Sequence, residues 1–379
     1  MKLGSLFSGA GTFELAGALN GIEPVWNSEV EKFCVKVTDK RLPNTKQLGD
    51  VTNIHGWEID PVDVITFGSP CQDLSRCGRQ AGIYNGSRSS LFFEAVRIIK
   101  EMRNATNNRY PRFAVWENVL GSLSSNSGDD FAAVLQSLAE VADPTVSVPR
   151  PAGKWEHNGC IMGDGYEIAW KVMDAQWCGV PQRRKRVFLV ADFAGESAGE
   201  ILLEREGLRG HYPPLPDEIE AASRYVAFGL RSDNSGFGSG IVFDARGNGC
   251  GAVSPTLTGD HQNRITDYTA VVVEDKKHVR LFDFQKVGIF GEGNVASTLL
   301  ERVYKNFNDV VVEDDPVYRV RRLTPTECFR LQGMPDGWTD DVKGSDTSRY
   351  RMAGNAIALP CLVDLMARMK HVWDEWRKM

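Results

Sequence analysis

The 379-residue sequence offers neither a disulfide framework nor a metal cage. Its eight cysteines, Cys34, Cys71, Cys77, Cys160, Cys178, Cys250, Cys328 and Cys361, are scattered, with no CxxC pair and no Cys/His cluster at zinc spacing. That disfavours a stapled secreted fold and a structural metal, and a reducing cytoplasm suits the chain best. The N-terminus "MKLGSLFSGAG" has one lysine and too short an apolar run for a signal peptide, and no stretch approaches a membrane span. A soluble intracellular protein is expected. Positive charge is also short, with a formal net charge of −6. Taken alone, that argues mildly against a polyanionic partner.

The charge is unevenly spread, however. Residues 76–112 carry eight Arg or Lys against two Glu, and "QRRKR" (Gln182 to Arg186) is a dense basic cluster, whereas 192–220 carries eight acids against two arginines. A basic face beside an acidic linker is compatible with nucleic acid. The length suits one large domain plus a smaller one. From the N-terminus, short apolar runs ("KLGSLF", "PVWNSE", "DVITFGS", "RFAVWENV") alternate with helical patterns beginning near Thr12 and Val30 and in "SSLFFEAVRIIKEM" and "DDFAAVLQSLAEV". Such alternation implies βαβ units and a mainly parallel sheet covered by helices, with ligands at the carboxyl ends of the strands. The expected division is a Rossmann-like α/β domain over 1–192 and a smaller, glycine-rich β domain over 193–330. The amphipathic segment within 331–379 is expected to return to the first domain.

The first strand is followed by "LFSGAGTFE", whose glycines fall short of a dinucleotide fingerprint. Gly9 and Gly11 are followed by Glu14 where G-x-G-x-x-G has its last glycine. A carboxylate there is unwelcome beside a pyrophosphate and suited to a ligand's ammonium group. Glu29 closes the second strand and is placed to accept ribose hydroxyls; Asp50 in "GDVT" is placed to accept an exocyclic amine. Ribose, adenine and a charged amino-acid tail together describe S-adenosylmethionine. Beside that cleft, Cys71 in "FGSPCQDLSRCG" follows an apolar run on a turn where N–H groups and arginines lower a thiol's pKa. It reads as a nucleophile, against the alternative of a buried apolar cysteine. Glu117 in "WENV" ends the next strand, in position to pass a proton to a ring nitrogen.

With these pieces in order ("LFSGAG", Glu29, "GDVT", "GSPCQDLS", "SRSSLFFE", "ENV", "GVPQRRKRVF", "RRLTPTECFRLQGMPDGW" and "GNAIALP"), the chain resembles the DNA cytosine-5 methyltransferases of bacterial and phage type, over nearly its whole length outside 193–318. One departure is Ser69, where the family often has an aromatic. The resemblance implies S-adenosylmethionine as cofactor and a flipped-out cytosine as target. It makes Cys71 the nucleophile at carbon 6 and Glu117 the partner of ring nitrogen 3. Arg184 and Arg186 match positions that hold the base carbonyl and the site's charge network, with a phosphate-facing role as the alternative for either. Phe7 matches a position against the adenine ring, Pro70 and Leu91 further cofactor positions, and Asn355 one that completes the pocket. Ser75 and Arg79 match a loop that closes on the target-strand backbone. Duplex DNA is the implied partner, bound by a monomer, and a separately encoded restriction endonuclease is a companion the sequence itself does not reveal. A related enzyme of tRNA shares the core, but the long stretch between Val190 and Pro316 favours DNA. A catalytically silent scaffold is opposed by the intact Cys71, Glu117 and Arg186.

An internal repeat remains. Phe243 to Asp275 and Phe282 to Asp314 both begin Phe-Asp, end in VVVED and carry a midway Thr-Leu, Thr256-Leu257 and Thr298-Leu299. Methyltransferases of this kind often carry a Thr-Leu pair in the target-recognising segment. Two readings stay open: tandem recognition units, or one recognition domain with two similar halves.

Overall fold

A computed structural model describes residues 1–69, 91–203 and 324–378 in full, and the strands at 240–244, 269–273 and 319–322 by their backbone. The N-terminal part alternates as β1 (Lys2–Leu6), α1 (Thr12–Leu19), β2 (Glu23–Ser28), α2 (Lys32–Arg41), β3 (Lys46–Gln47), β4 (Val64–Phe67), α3 (Leu91–Ala105), β5 (Phe113–Val119) and α4 (Asp129–Ala142). It continues through β6 (Asn158–Gly163), β7 (Tyr166–Asp174), β8 (Lys185–Asp192) and α5 (Ala198–Leu202). These strands form one sheet in the order β3-β2-β1-β4-β5-β8-β7-β6.

The first five strands pair in parallel. The last three are antiparallel to their neighbours, so the sheet is mainly parallel, as expected, with an antiparallel edge at β8-β7-β6. The reason is connection length: residues 175–184 between β7 and β8 are too few for a crossover helix, so the chain folds straight back. Strand β1 lies between β2 and β4, so the winding reverses there, and the carboxyl ends of these strands are where doubly wound sheets bind their ligands.

Strand β4, "VITF", is buried throughout, and β5 is buried except at its last residue, as expected of strands covered on both faces. The two-residue period of β5 sends alternate side chains to opposite layers. Trp116 is fully buried, edge-on to Phe92 of α3 and stacked on Phe131 of α4, with ring centroids 6.0 and 6.2 Å away. Phe113 meets Trp373 of the C-terminal helix α8 (Leu359–Trp376). Helix α8 is also tied to α1, where Asn20 Nδ2 donates to the Val363 carbonyl at 3.0 Å. Among the described residues no single helix is long and apolar enough to cross a membrane.

The chain divides into two units, one of 1–174, 185–210 and 359–379, the other of 175–184 and 211–358. In the second, β9 (Gly240–Asp244), β10 (Thr269–Val273) and β11 (Arg319–Arg322) form an antiparallel sheet with β10 in the middle. Helices α6 (Pro325–Leu331) and α7 (Asp346–Asn355) follow. "TPTE" starts α6 as its residue types dictate: Thr324 Oγ1 accepts from the Glu327 N–H, Glu327 Oε2 accepts from the Thr324 N–H, and Pro325 occupies the first turn.

The division differs from the expected boundaries. Residues 331–358 belong with the second unit, and 175–184 joins them. Three buried side chains account for this: Gln182 Nε2 donates to the Leu331 carbonyl, Gln332 Nε2 to that of Ala353, and Arg184 to those of Gly354 and Ala356. The first repeat copy runs from β9 to just past β10; the second, 282–314, lies outside the described residues.

Candidate active site and cofactor cleft

The turn after β1 is built from backbone that most residues avoid. Phe7, Gly9 and Gly11 have φ of 58°, 54° and 74°. Glycine takes the left-handed region without a Cβ penalty; a phenylalanine there stores strain of a kind that gathers at ligand sites. The turn is anchored by Ser8 N–H to the Ser28 carbonyl at 3.0 Å and by Gly11 N–H to the Ser8 carbonyl at 2.9 Å. Gly11 then leads into α1 with no side-chain cap. Phe7 is half-buried and, like Leu91 at the start of α3, packs on the core cluster around Leu6, Phe67 and Phe92.

Glu29 lies just past β2 and faces this turn. Its Oε2 accepts from Gly9 N–H at 2.7 Å, and its Oε1 from the N–H groups of Val30 and Glu31 at 2.7 and 2.8 Å. A carboxylate has about four acceptor positions, so a position on Oε2 remains for a ligand hydroxyl. The carboxylate is thereby both preorganised and available. Gln47, which no sequence motif singled out, supports it: Gln47 Oε1 accepts from the N–H groups of Glu29 and Gly49, joining the ends of β2 and β3. Asp50 is exposed and caps the turn at Val51–Asn53, its Oδ1 accepting from Thr52 N–H and Oγ1 at 2.9 and 2.8 Å. Glu14 differs from expectation. Instead of presenting itself to a ligand it is fully buried beneath the turn, and its Oε1 accepts from the Ser8 hydroxyl. The reason is helical phase: Phe13, Glu14, Ala16 and Gly17 share the buried side of α1.

On the neighbouring strands β5 and β8, Glu117 and Arg186 meet. Because β5 and β8 are antiparallel with Val119 opposite Arg186, the arginine reaches back to Glu117, with Nε 3.2 Å from Oε1. Gly68, just beyond β4, leaves room for the acid: a Cβ there would stand 3.3 Å from Glu117 Oε2, tighter than ordinary contact. Ser69 is buried, and its environment explains a small polar residue in place of an aromatic. Its hydroxyl accepts from Trp116 Nε1 at 3.3 Å and its carbonyl from Asn118 Nδ2 at 3.2 Å. The chain thus leaves β4 tethered to β5 one residue before Pro70 and Cys71.

Pro70, Cys71, Ser75, Arg79, Thr256, Leu257, Thr298 and Leu299 lie outside the described residues. Arg184 belongs to the second unit, where it is buried and its Nη2 donates to the carbonyls of Gly354 and Ala356 at 3.0 and 2.8 Å. Those carbonyls flank Asn355, itself exposed.

The family model described as "C-5 cytosine-specific DNA methylase" matches residues 1–142, 161–200 and 256–371. The chain belongs to that family. It is a DNA cytosine-5 methyltransferase, an enzyme that adds a methyl group to carbon 5 of cytosine in DNA. Among relatives of this methyltransferase, one from Lactococcus lactis subsp. cremoris, named Type II methyltransferase M1.ScrFI, is 26% identical over 100% of the chain and 80% of its own length. A protein of Escherichia phage P1 named DNA N-6-adenine-methyltransferase is 28% identical over 95% of the chain. The match spans only 60% of that phage protein, and the adenine-directed name is that of the longer protein. The fold is shared with S. pombe Dnmt2 methyltransferase (TM-score 0.58, 16% identity, 99% of both chains). It is shared too with a protein from E. coli titled a putative DNA modification methyltransferase encoded within prophage Cp (TM-score 0.54, 16% identity, 99% of both chains).

Proposed function

We propose that this methyltransferase takes its methyl group from S-adenosylmethionine and delivers it to a cytosine flipped out of duplex DNA, through a covalent adduct on Cys71. The Glu117–Arg186 pair carries the reading, because it sets an acid and its counter-charge at adjoining strand ends beside the exit of β4, two residues before Pro70.

The cofactor fits the residues present. The turn with φ of 54° and 74° at Gly9 and Gly11 lets backbone approach a ligand closely, and Glu29 retains an acceptor position on Oε2 for a ribose hydroxyl. Phe7 and Leu91 offer apolar surface to the adenine, Pro70 a further contact, and Asp50 an acceptor for its amine. When bound, S-adenosylmethionine supplies an electrophilic methyl group on sulfur.

Cytosine carbon 5 is too weak a nucleophile to take that methyl unaided. Addition of the Cys71 thiolate to carbon 6 pushes electron density onto carbon 5 and ring nitrogen 3. Glu117 hydrogen-bonds nitrogen 3 and offsets the charge gathering there, and Arg186 holds Glu117 in place and balances the site. After carbon 5 has taken the methyl group, loss of its proton expels the thiolate. Ser75 and Arg79 hold the target-strand backbone while the base is out of the stack. The enzyme acts as a monomer, and relatives named Type II methyltransferases support a setting with a separately encoded restriction endonuclease.

Tritium transfer from labelled S-adenosylmethionine to duplex DNA, tRNA and buffer tests the reading, with transfer to DNA expected. Cys71→Ser should abolish transfer while cofactor binding persists, since a hydroxyl supplies almost no nucleophile at neutral pH. The unaltered chain should form a stable adduct with 5-fluorocytosine DNA. Turnover by the serine variant, or transfer to tRNA alone, defeats the assignment.

A further inference from the structure

Glu14 is a buried acid that the transfer chemistry leaves unused. It has no exposed surface, its Oε1 is held by the Ser8 hydroxyl, and its Oε2 is buried without a hydrogen-bond partner. Asn27 of β2 donates from Nδ2 to the same hydroxyl at 3.4 Å, and its Oδ1 is likewise buried without a partner. Two acceptors therefore lie orphaned under the turn that carries Phe7, Gly9 and Gly11. Buried polar atoms are costly to leave unsatisfied, and a proton on Oε2 converts one of these acceptors into a donor.

No cation among the described residues stands opposite Glu14. The strand β1 and its exit contribute Ser5 and Ser8, and β2 contributes Asn27 and Ser28, all neutral. Glu29 is the charged neighbour, and its charge has the same sign. Helix α1 ("TFELAGAL") has no other ionisable group. On α8, packed against α1, Asp364 pairs with Arg368 and Asp374 with Lys370, while Glu375 pairs with Lys378 and lies near His371 at the far end of the helix. Burial, with a smaller push from Glu29, raises the Glu14 carboxyl to about 7 against the downward pull of the Ser8 hydroxyl bonded to it and of the nearby Asn27 amide. Glu14 thus changes charge close to neutral pH.

We propose that Glu14 is a positioning residue for the Phe7–Gly11 turn and releases its proton to solvent when a cationic adenosyl ligand occupies that turn. The inference rests on S-adenosylmethionine being the ligand. Its ammonium and sulfonium charges outnumber its carboxylate, bringing net positive charge to a region where the described residues hold the carboxyl groups of Glu14 and Glu29 and no counter-charge. That favours ionised Glu14, and by linkage ionised Glu14 favours the cation. S-adenosylhomocysteine, which has lost the sulfonium charge, gains less. The turn therefore discriminates between methyl donor and spent product.

Calorimetric titration in buffers of different ionisation enthalpy, across about pH 6 to 8.5, reads the proton directly. The unaltered chain should release a fraction of a proton per S-adenosylmethionine bound near pH 7, and less with S-adenosylhomocysteine. Glu14→Gln should bind the donor within about threefold at the acid end and release no proton. Ser8→Ala, which removes a bond that holds the acid down, should move the midpoint of release to higher pH, and it serves as the test should the Glu14→Gln variant not fold. Equal release by the Glu14→Gln and unaltered chains, an unmoved midpoint in Ser8→Ala, or binding by the unaltered chain with no release overturns this inference alone. Failure of the unaltered chain to bind S-adenosylmethionine overturns the cofactor reading and this inference with it.

Discussion

Glu117 acts through its position between an arginine and a glycine. Arg186 Nε holds Oε1, and the missing side chain at Gly68 leaves space beside Oε2. Glu117→Gln keeps the shape and removes the acid, so the chemical step should fall by roughly 10²–10⁴-fold, the usual worth of a positioned acid or base. Cofactor affinity, measured separately, should change little. Normal transfer at saturating cofactor with weakened cofactor binding would instead make Glu117 a cofactor ligand. Glu14 gives the residue scale its pH dependence. Its carboxyl is raised in the folded chain to about 7 from an ordinary value of 4.5, so the fold binds the proton more tightly than the unfolded chain does. The resulting stability is fully present below the unfolded value and is lost as pH rises through about 7. Urea melts from acid to mildly alkaline pH should show that decline in the unaltered chain and a flatter profile in Glu14→Gln.

Among elements, the junction of β5, β8 and α5 rests on one buried ion pair. Arg112, just before β5, donates from Nε and Nη2 to Asp192 at the end of β8, at 3.0 and 2.9 Å. Asp192 also accepts from the Ser197 hydroxyl at 2.5 Å and the Ala194 N–H at 3.1 Å. Removing one partner of such a pair strands the other charge away from water, so Asp192→Ala should cost about 3–5 kcal/mol. Asp346→Ala, at a pair whose aspartate side chain is 71% exposed, should cost at most about 1 kcal/mol. Urea midpoints at unchanged slope separate the two cases. Equal losses would mean that Asp192 holds these elements no more firmly than a surface contact does.

At the scale of the whole molecule, the repeat bears on target recognition. In the first copy, the opening Phe243 in β9 pairs with Ala270 at the start of the closing strand β10, so its two ends are sheet neighbours. We propose that the copies containing Thr256-Leu257 and Thr298-Leu299 read different DNA sites. Bisulfite sequencing of DNA treated with Leu257→Asp and with Leu299→Asp should then show each variant losing a different subset of targets. Simultaneous loss of every target, in chains that still fold and bind S-adenosylmethionine, would make the repeat structural only.

The sequence by itself determined what depends on neighbours along the chain: the βα alternation, the glycine-permitted turn after β1 and the acid closing β2. These follow from backbone freedom, side-chain period and local hydrogen bonding, all satisfied within a few residues. Gln47 went unnoticed because a lone glutamine carries no local signal; its value lies in joining two strand ends. Tertiary structure alone decided the rest. Whether Glu14 faces a ligand or the core depends on how α1 lies on β1 and β2, and the pairing of Glu117 with Arg186 depends on β8 running antiparallel to β5. The placement of Arg184 at the carbonyls flanking Asn355 joins residues 170 and 172 positions apart. Ionisation and pairing are set by burial and by partners distant in sequence, and those exist only once the chain has folded.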